Sequence, residues 1–162
     1  MINKEKIKSL SLVIPCHNEQ DSIRIALTVY FDILKNILKD KLITEFEVVV
    51  VNNGSTDKTL AVLLDQKKKN SFKIVNLKKN YGYTSSYLAG MYHTKNEMII
   101  TVSADLHEDP DKIKDFIQVH SPNTTNEVTY KMQFKSHTGH EVRVQQNGPS
   151  GGSTLTLLEI GA

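Results

Sequence analysis

Along the chain, short apolar runs alternate with stretches whose apolar residues recur every three or four positions. Leu10-Ser11-Leu12-Val13-Ile14 is a β-branched run stopped by Pro15, and it predicts a buried strand. Ile23, Ala26, Leu27, Tyr30, Ile33, Leu34, Ile37 and Leu38 then fall on one helical face, with Asn18 and Asp21 placed to cap that helix. Phe46 to Val51 predicts a second strand, apolar on both faces as parallel central strands tend to be. A turn at Asn52-Asn53-Gly54 leads into a helix expected to start at Ser55 or Thr56, with Leu60, Val62, Leu63 and Leu64 as its stripe. Phe72 to Leu77 predicts strand three and Thr84 to Tyr92 a helix. Glu97 to Val102 predicts strand four, and Asp111 to Val119 a last amphipathic helix carrying Ile113, Phe116 and Ile117. Four such alternations call for an α/β fold, a parallel sheet with right-handed crossovers and helices on both faces. In these sheets ligands bind beyond the carboxyl ends of the strands, so the residues just after each strand carry the interest.

After His120 the pattern changes. Residues 121–127 read as a polar, turn-rich linker. In 128–162, Val128, Tyr130, Met132 and Phe134 alternate with polar residues, as do Val142 with Val144 and Leu155 with Leu157. Turn signals at His137 to His140 and Asn147 to Gly152 separate them. The expectation is a small antiparallel β segment with no chemical motif and no assigned role.

The 162 residues suit about one domain, and 39% hydrophobic with 23% charged residues is the make-up of an ordinary soluble globular protein. A net charge of +2 is too small to draw a nucleic acid or a membrane by bulk electrostatics, so no nucleic-acid partner is expected. Cys16 is the only cysteine, which excludes an intrachain disulfide and fits a reducing compartment. Lys4, Glu5, Lys6 and Lys8 break any signal-like character at the start, and no stretch nears the ~20 apolar residues of a bilayer span. The expectation is a cytoplasmic chain whose membrane contact, if any, is peripheral.

Three loops could carry chemistry. Pro15-Cys16-His17-Asn18-Glu19 follows the first strand without a glycine, and no G-x-x-x-x-G-K-[ST] occurs, which argues against nicotinamide enzymes and P-loop NTPases. Asn18 and Glu19 are equally suited to capping a helix and neutralising its dipole. In the second loop, Asn52 and Asn53 at a strand tip could read a base edge, Gly54 permits a positive φ, and Ser55, Thr56 and Asp57 suit a helix cap. The third, Ser103 to Pro110, places Asp105 after the fourth strand. That carboxylate suits a hard divalent cation, which typically takes one or two carboxylates plus phosphates and water, but an acidic loop opening a helix also suits a solvated cap. Cys16 and His17, adjacent on a strand end, point apart and make a poor nucleophile pair. Tyr81, Tyr83 and Tyr87 are placed either to stack on a base or sugar or to pack a helix on the sheet.

Taken together, Pro15-x-x-Asn18-Glu19, Asn53-Gly54-Ser55-Thr56-Asp57 with Thr59, Asn80-x-Gly82 with Ala89 and Gly90, and Ser103-Ala104-Asp105-Leu106 ending in Asp109-Pro110 resemble the family 2 glycosyltransferases, in register from about Ser11 to Ile117. The resemblance is closest to members that use lipid-phosphate acceptors or build surface polysaccharide. It implies a GT-A, Rossmann-like fold binding a nucleotide diphosphate sugar of the UDP or GDP type with Mg²⁺ or Mn²⁺. By the same resemblance the donor site is Pro15, Asn18, Glu19, Asn53, Ser55, Asp57, Ser103, Ala104 and Asp105. Pro15 and Glu19 would line the nucleoside pocket, Asn53 would stand where an aspartate contacts the base, and Asp105 would be the metal carboxylate of D-x-D. The implied chemistry is inverting transfer of the sugar to a lipid-linked or polysaccharide acceptor, with a general base on the acceptor side. Asn52-Asn53 replaces the common acidic pair, and Ser103 replaces the first aspartate of D-x-D. Residues 121–162 do not resemble an acceptor-binding half, so a chain truncated or remodelled after about residue 120 is expected, and no catalytic residue is named. The alternative is a non-catalytic nucleotide-sugar-binding domain.

Val128 to Phe134 puts four apolar residues on one strand face, and an isolated meander of this size is barely stable in water. That face needs the edge of the α/β sheet or another copy of the chain (a homo-oligomer) to cover it, and it is expected on the α/β domain near the face where an acceptor half would sit. Cutting at Ser121 is then expected to expose apolar surface and cause aggregation or dye binding. A 1–120 fragment that stays monomeric and equally stable would make the tail a dispensable appendage.

Overall fold

The computed structural model describes residues 9–120; the expected linker at 121–127 and β segment at 128–162 lie outside the described residues. The elements run β1 (Ser9–Cys16), α1 (Ile23–Lys39), β2 (Glu45–Asn53), α2 (Thr59–Gln66), β3 (Lys73–Leu77), α3 (Tyr83–Tyr92), β4 (Met98–Thr101) and α4 (Lys112–His120). The strands form one parallel sheet in the order β3-β2-β1-β4. All eight elements expected from the apolar pattern are present, and the α/β class holds.

Successive side chains of a strand alternate between sheet faces. Leu10, Leu12, Ile14, Val48 and Val50 point to one face, where they meet Tyr30, Leu34, Leu63, Ile113 and Ile117 from α1, α2 and α4. Val13, Val49 and Val51 point to the other face, where Ala89 of α3 packs beside them. The two layers are unequal. Seven residues of α1 are buried, whereas α3 buries only Ser86 and Gly90.

Several boundaries differ from the sequence reading, each for a physical reason. Pro15 does not stop β1, which runs on to Cys16 and keeps its register with β2, Cys16 opposite Asn52. Pairing with β4 ends at Val13 opposite Thr101, and Val13 gives its carbonyl to Val102 N (3.0 Å). Pro15 is two residues on and faces the same side, past the last β4 pair, so its missing N–H leaves no ladder bond unmade. Helix α2 starts at Thr59 rather than Ser55 or Thr56, and Leu64 on its predicted stripe is exposed, with Thr59 and Gln66 buried beside Leu63 instead. Phe116 of α4 is likewise exposed, while Ile113 and Ile117 fill the core.

Strands β1, β2 and β3 succeed one another toward one edge, and β4 lies on the other side of β1. The order therefore reverses at β1, where a ligand crevice belongs. Helix α3 approaches this part of the sheet closely because Gly90 has no side chain. A Cβ there would lie 2.3 Å from Val13 Cγ1 and 2.9 Å from Val51 Cγ2. Gly90→Ala is therefore expected to push α3 off the sheet and destabilise the chain by about 1–3 kcal/mol in denaturant titration. An unchanged midpoint would show that Val13 and Val51 repack without cost.

Candidate functional site

The carboxyl ends of β1 and β2 are level, so their loops emerge side by side, and their polar groups bond across the gap. Asn18 N–H donates to Ser55 Oγ (3.0 Å), Glu19 N–H to Thr59 Oγ1 (2.8 Å) and Gln20 N–H to Asp57 Oδ2 (3.2 Å). In return Asn18 Oδ1 accepts from Thr56 N–H (2.8 Å) and Gln20 Oε1 from Lys58 N–H (3.0 Å). Asn18 takes φ 57° to make this fit, a conformation asparagine tolerates better than most residues. Gly54 takes φ 63° under the backbone of Lys79, whose carbonyl carbon would lie 2.1 Å from an added Cβ. Asn18 therefore does not cap α1, whose N-cap position is Ser22 without a side-chain cap bond. Ser55 and Asp57 do not line the groove either; with Asn18 they clamp one loop to the other.

The tip of β2 is held from the opposite side. Asn52 is buried and donates Nδ2–H to Asn76 Oδ1 (2.7 Å). Asn53 is buried too. Its Nδ2 donates to Asn80 Oδ1 (3.0 Å) and to the Gly82 carbonyl (3.1 Å), while its Oδ1 accepts from Tyr81 N–H (3.0 Å). The two amides thus bond to the segment between β3 and α3, and Asn53 shapes the wall of the groove through Asn80 to Gly82 rather than holding out a free amide to a base.

Between these loops and the one after β4 lies a cavity. Pro15, Glu19, Asn53, Ser103, Ala104 and Asp105, six of the residues expected at the site, line it; Asn18, Ser55 and Asp57 do not. Cys16, His17 and Ser86 complete its floor and flank, and Asn80, Gly82 and Tyr83 form the wall contributed by the start of α3. Burial, and then the charges of Glu19 and Asp57, push the Cys16 thiol up to about 12, and its Sγ donates to the Val51 carbonyl (3.4 Å). At neutral pH it stays a protonated packing group rather than a nucleophile. His17 Nδ1 lies 2.9 Å from the Asn53 carbonyl oxygen.

The acidic loop after β4 is fixed at both ends. Tyr30, fully buried on α1, donates its hydroxyl to the Ser103 carbonyl (2.8 Å). Burial is the main cause that pushes its pKa to about 12, so it remains a donor at neutral pH. Ser103 gives its hydroxyl and its N–H to Glu108 Oε2. The Ser103 hydroxyl, and after it the His107 N–H, hold the Asp105 carboxyl below its usual range, so it is ionised and exposed at the groove. Tyr30 carried no signal in sequence beyond being a polar-tipped aromatic on an apolar helix face.

Among the described residues no group of three or more His, Cys, Asp or Glu side chains gathers at one point. Asp105 alone fits a divalent-cation site of the kind whose other ligands are substrate phosphates and water. No described helix is long and apolar enough to cross a membrane.

Residues 11–157 match the family model described as Glycosyl transferase family 2, which reaches beyond the stretch from Ser11 to Ile117 over which the loops run in register. The chain belongs to glycosyl transferase family 2. Among curated relatives in the comparison, an undecaprenyl-phosphate 4-deoxy-4-formamido-L-arabinose transferase of Edwardsiella ictaluri is 31% identical over 122 residues, covering 73% of this chain and 35% of that protein. An uncharacterized glycosyltransferase of Synechocystis is 38% identical over 109 residues, covering 67% of this chain and 33% of its own length. The chain thus spans about a third of the length of these family 2 relatives. Among solved structures, S. aureus TarS in complex with UDP matches with TM-score 0.55 at 26% identity, over 68% of this chain and 31% of that one. A mannosyltransferase from Pyrobaculum calidifontis in complex with GDP-Man and Mn²⁺ shares the fold, with TM-score 0.59 at 20% identity over 75% of this chain and 34% of that one. The α/β sheet is therefore the GT-A sheet that the loops implied.

Desolvation works to raise the pKa of Asp57, but the Thr59 hydroxyl and the N–H groups of Thr59 and Gln20 outweigh it and leave the carboxyl below its ordinary value. A carboxylate with a depressed folded pKa stabilises the fold above its unfolded pKa and loses that contribution as pH falls through the folded value. Asp57→Asn is accordingly expected to lower the melting temperature at neutral pH, with the gap to the unmodified chain closing as pH drops below the ordinary carboxylate range. A gap independent of pH would show that charge plays no part in the clamp.

Proposed function

We propose that this chain forms the donor-binding part of a family 2 glycosyltransferase that transfers a sugar, with inversion, from a UDP- or GDP-type nucleotide to a lipid-phosphate or polysaccharide acceptor. The observation that carries this reading is the convergence of Pro15, Glu19 and Asp105 on one groove at the switch point of a parallel sheet. The printed activities of the relatives point the same way: an undecaprenyl-phosphate sugar transferase at 31% identity, and TarS, solved with UDP and with UDP-GlcNAc, at 26%.

In this reading Pro15 and Glu19 line the nucleoside end, with Asn53 behind the wall that Asn80 to Gly82 present. Asp105 holds Mg²⁺ or Mn²⁺, and Ser103 and Ala104 form the backbone beside it. When bound, the metal would offset the negative charge that develops on the departing diphosphate. The clamp of Asn18, Ser55 and Asp57 keeps the groove open before the donor arrives. Glu108 is committed to Ser103 and does not serve as the general base, and none of the described residues is assigned that role.

Isothermal titration with UDP-, GDP- and dTDP-sugars in Mn²⁺ tests the reading, and no binding to any of them would sink it. Because Asp105 is the only carboxylate in the remnant D-x-D, Asp105→Asn is expected to abolish the Mn²⁺-dependent part of donor binding while the melting curve stays in place. Undiminished Mn²⁺-dependent binding by that variant would reduce the acidic loop to a helix cap. Mn²⁺ alone, without nucleotide, is expected to bind weakly, since the protein supplies too few ligands by itself.

A further inference from the structure

Three tyrosines stand around the start of α3, and the structure separates their roles. Tyr87 is half-buried. Tyr81 has the Lys79 ammonium 5.2 Å from its ring centroid. Tyr83 alone of the three lines the groove, and it is 66% exposed, so packing does not explain it.

An exposed ring that wandered would make a poor binding element, but Tyr83 is anchored. Its ring centroid lies 4.4 Å from that of Tyr87 at an interplanar angle of 75°, and the two hydroxyls are hydrogen-bonded to each other. Its carbonyl accepts from the buried Ser86 Oγ (2.6 Å) at the first turn of the helix. An edge-to-face contact also leaves a face unused. If Tyr83 gives its edge to Tyr87, both of its faces are free; if it gives one face, the other remains. The groove beside it mixes polar side chains, Glu19, Asn80 and Asp105, with the apolar Pro15, Cys16 and Ala104, and Tyr83 is the one aromatic ring among its lining residues apart from the His17 imidazole. A nucleotide sugar has charge for the metal end but also two rings with apolar faces, and an ordered aromatic face matches those.

We propose that Tyr83 is a stacking platform for a ring of the donor, either the nucleobase or the sugar. This rests on the donor-binding reading above. The shared chemistry is a flat or apolar ring face laid on the tyrosine, and the source of the ring is settled by comparing ligands with and without the sugar.

The full chain, with Tyr83→Ala and Tyr83→Phe variants, is titrated in Mn²⁺ with UDP, UDP-GlcNAc, GDP and GDP-Man. Tyr83→Ala is expected to weaken binding about tenfold, the loss of one stacked ring. Tyr83→Phe, which keeps the ring and drops the bond to Tyr87, is expected to retain the affinity. The exposed position leaves the melting temperature of both variants unchanged. Equal losses for nucleotide and nucleotide sugar assign the base to the platform, and a loss confined to the sugar-bearing ligand assigns the sugar. Undiminished binding of every ligand by Tyr83→Ala would overturn the proposal while leaving the donor reading intact. An unmodified chain that binds none of the four ligands defeats both, and the two failures are thereby told apart.

Discussion

Three consecutive backbone N–H groups, those of Asn18, Glu19 and Gln20, leave β1 with no strand partner, and acceptors from the loop after β2 meet all three. Unbonded amides in a partly buried loop would each cost about as much as a lost hydrogen bond. Their acceptors are side chains of a segment almost forty residues on, held within reach because β1 and β2 end level with each other. The two return bonds from Thr56 and Lys58 make the arrangement reciprocal, so neither loop can shift without breaking the other. The floor and flank of the groove, from Pro15 to Glu19, take their position from this clamp.

The wall and the acidic edge are tied in by separate means. Asn53 binds the start of α3 to the tip of β2, and Tyr30 binds the loop after β4 to the far side of the core. Ser103, standing where a carboxylate is usual in the family motif, turns its hydroxyl to Glu108 and so tightens the loop that displays Asp105. Of the acidic loop only Asp105 lines the groove, so a cation held there would need most of its ligands from outside the described residues.

The sheet and its helices were legible because a continuous run such as Phe46 to Val51 and a 3.6-residue stripe such as Ile23 to Ile37 are local signals. What escaped was set by partners distant in the chain. Ser55, Thr56 and Asp57 look like a helix cap, and Asp57 Oδ1 does take the N–H of Thr59 where α2 begins, yet Ser55 Oγ and Asp57 Oδ2 also accept from the neighbouring loop. Asn52 and Asn53 look free to read a base because their partners, Asn76 and Asn80, lie beyond an intervening helix. Pro15 looks like a strand terminator because nothing local tells that β4 has already diverged. The loops of the site were found correctly by their place after the strands, while the division between residues that line the groove and residues that brace it needed the third dimension.

The unequal layers of the sheet bear on how this groove behaves in time. Burial of apolar area is the main term resisting local opening, and α3 buries only a serine and a glycine where α1 buries seven residues, among them Tyr30 and Phe31. The groove therefore has one wall of high and one of low local stability. By burial alone, the side built from β1, α1 and the clamp resists local opening more than the side carrying Gly82 and Tyr83. A ligand held between them would draw much of its effect on the protein from quieting α3, so that occupancy would register as slowed amide exchange along that helix more than as any change of shape.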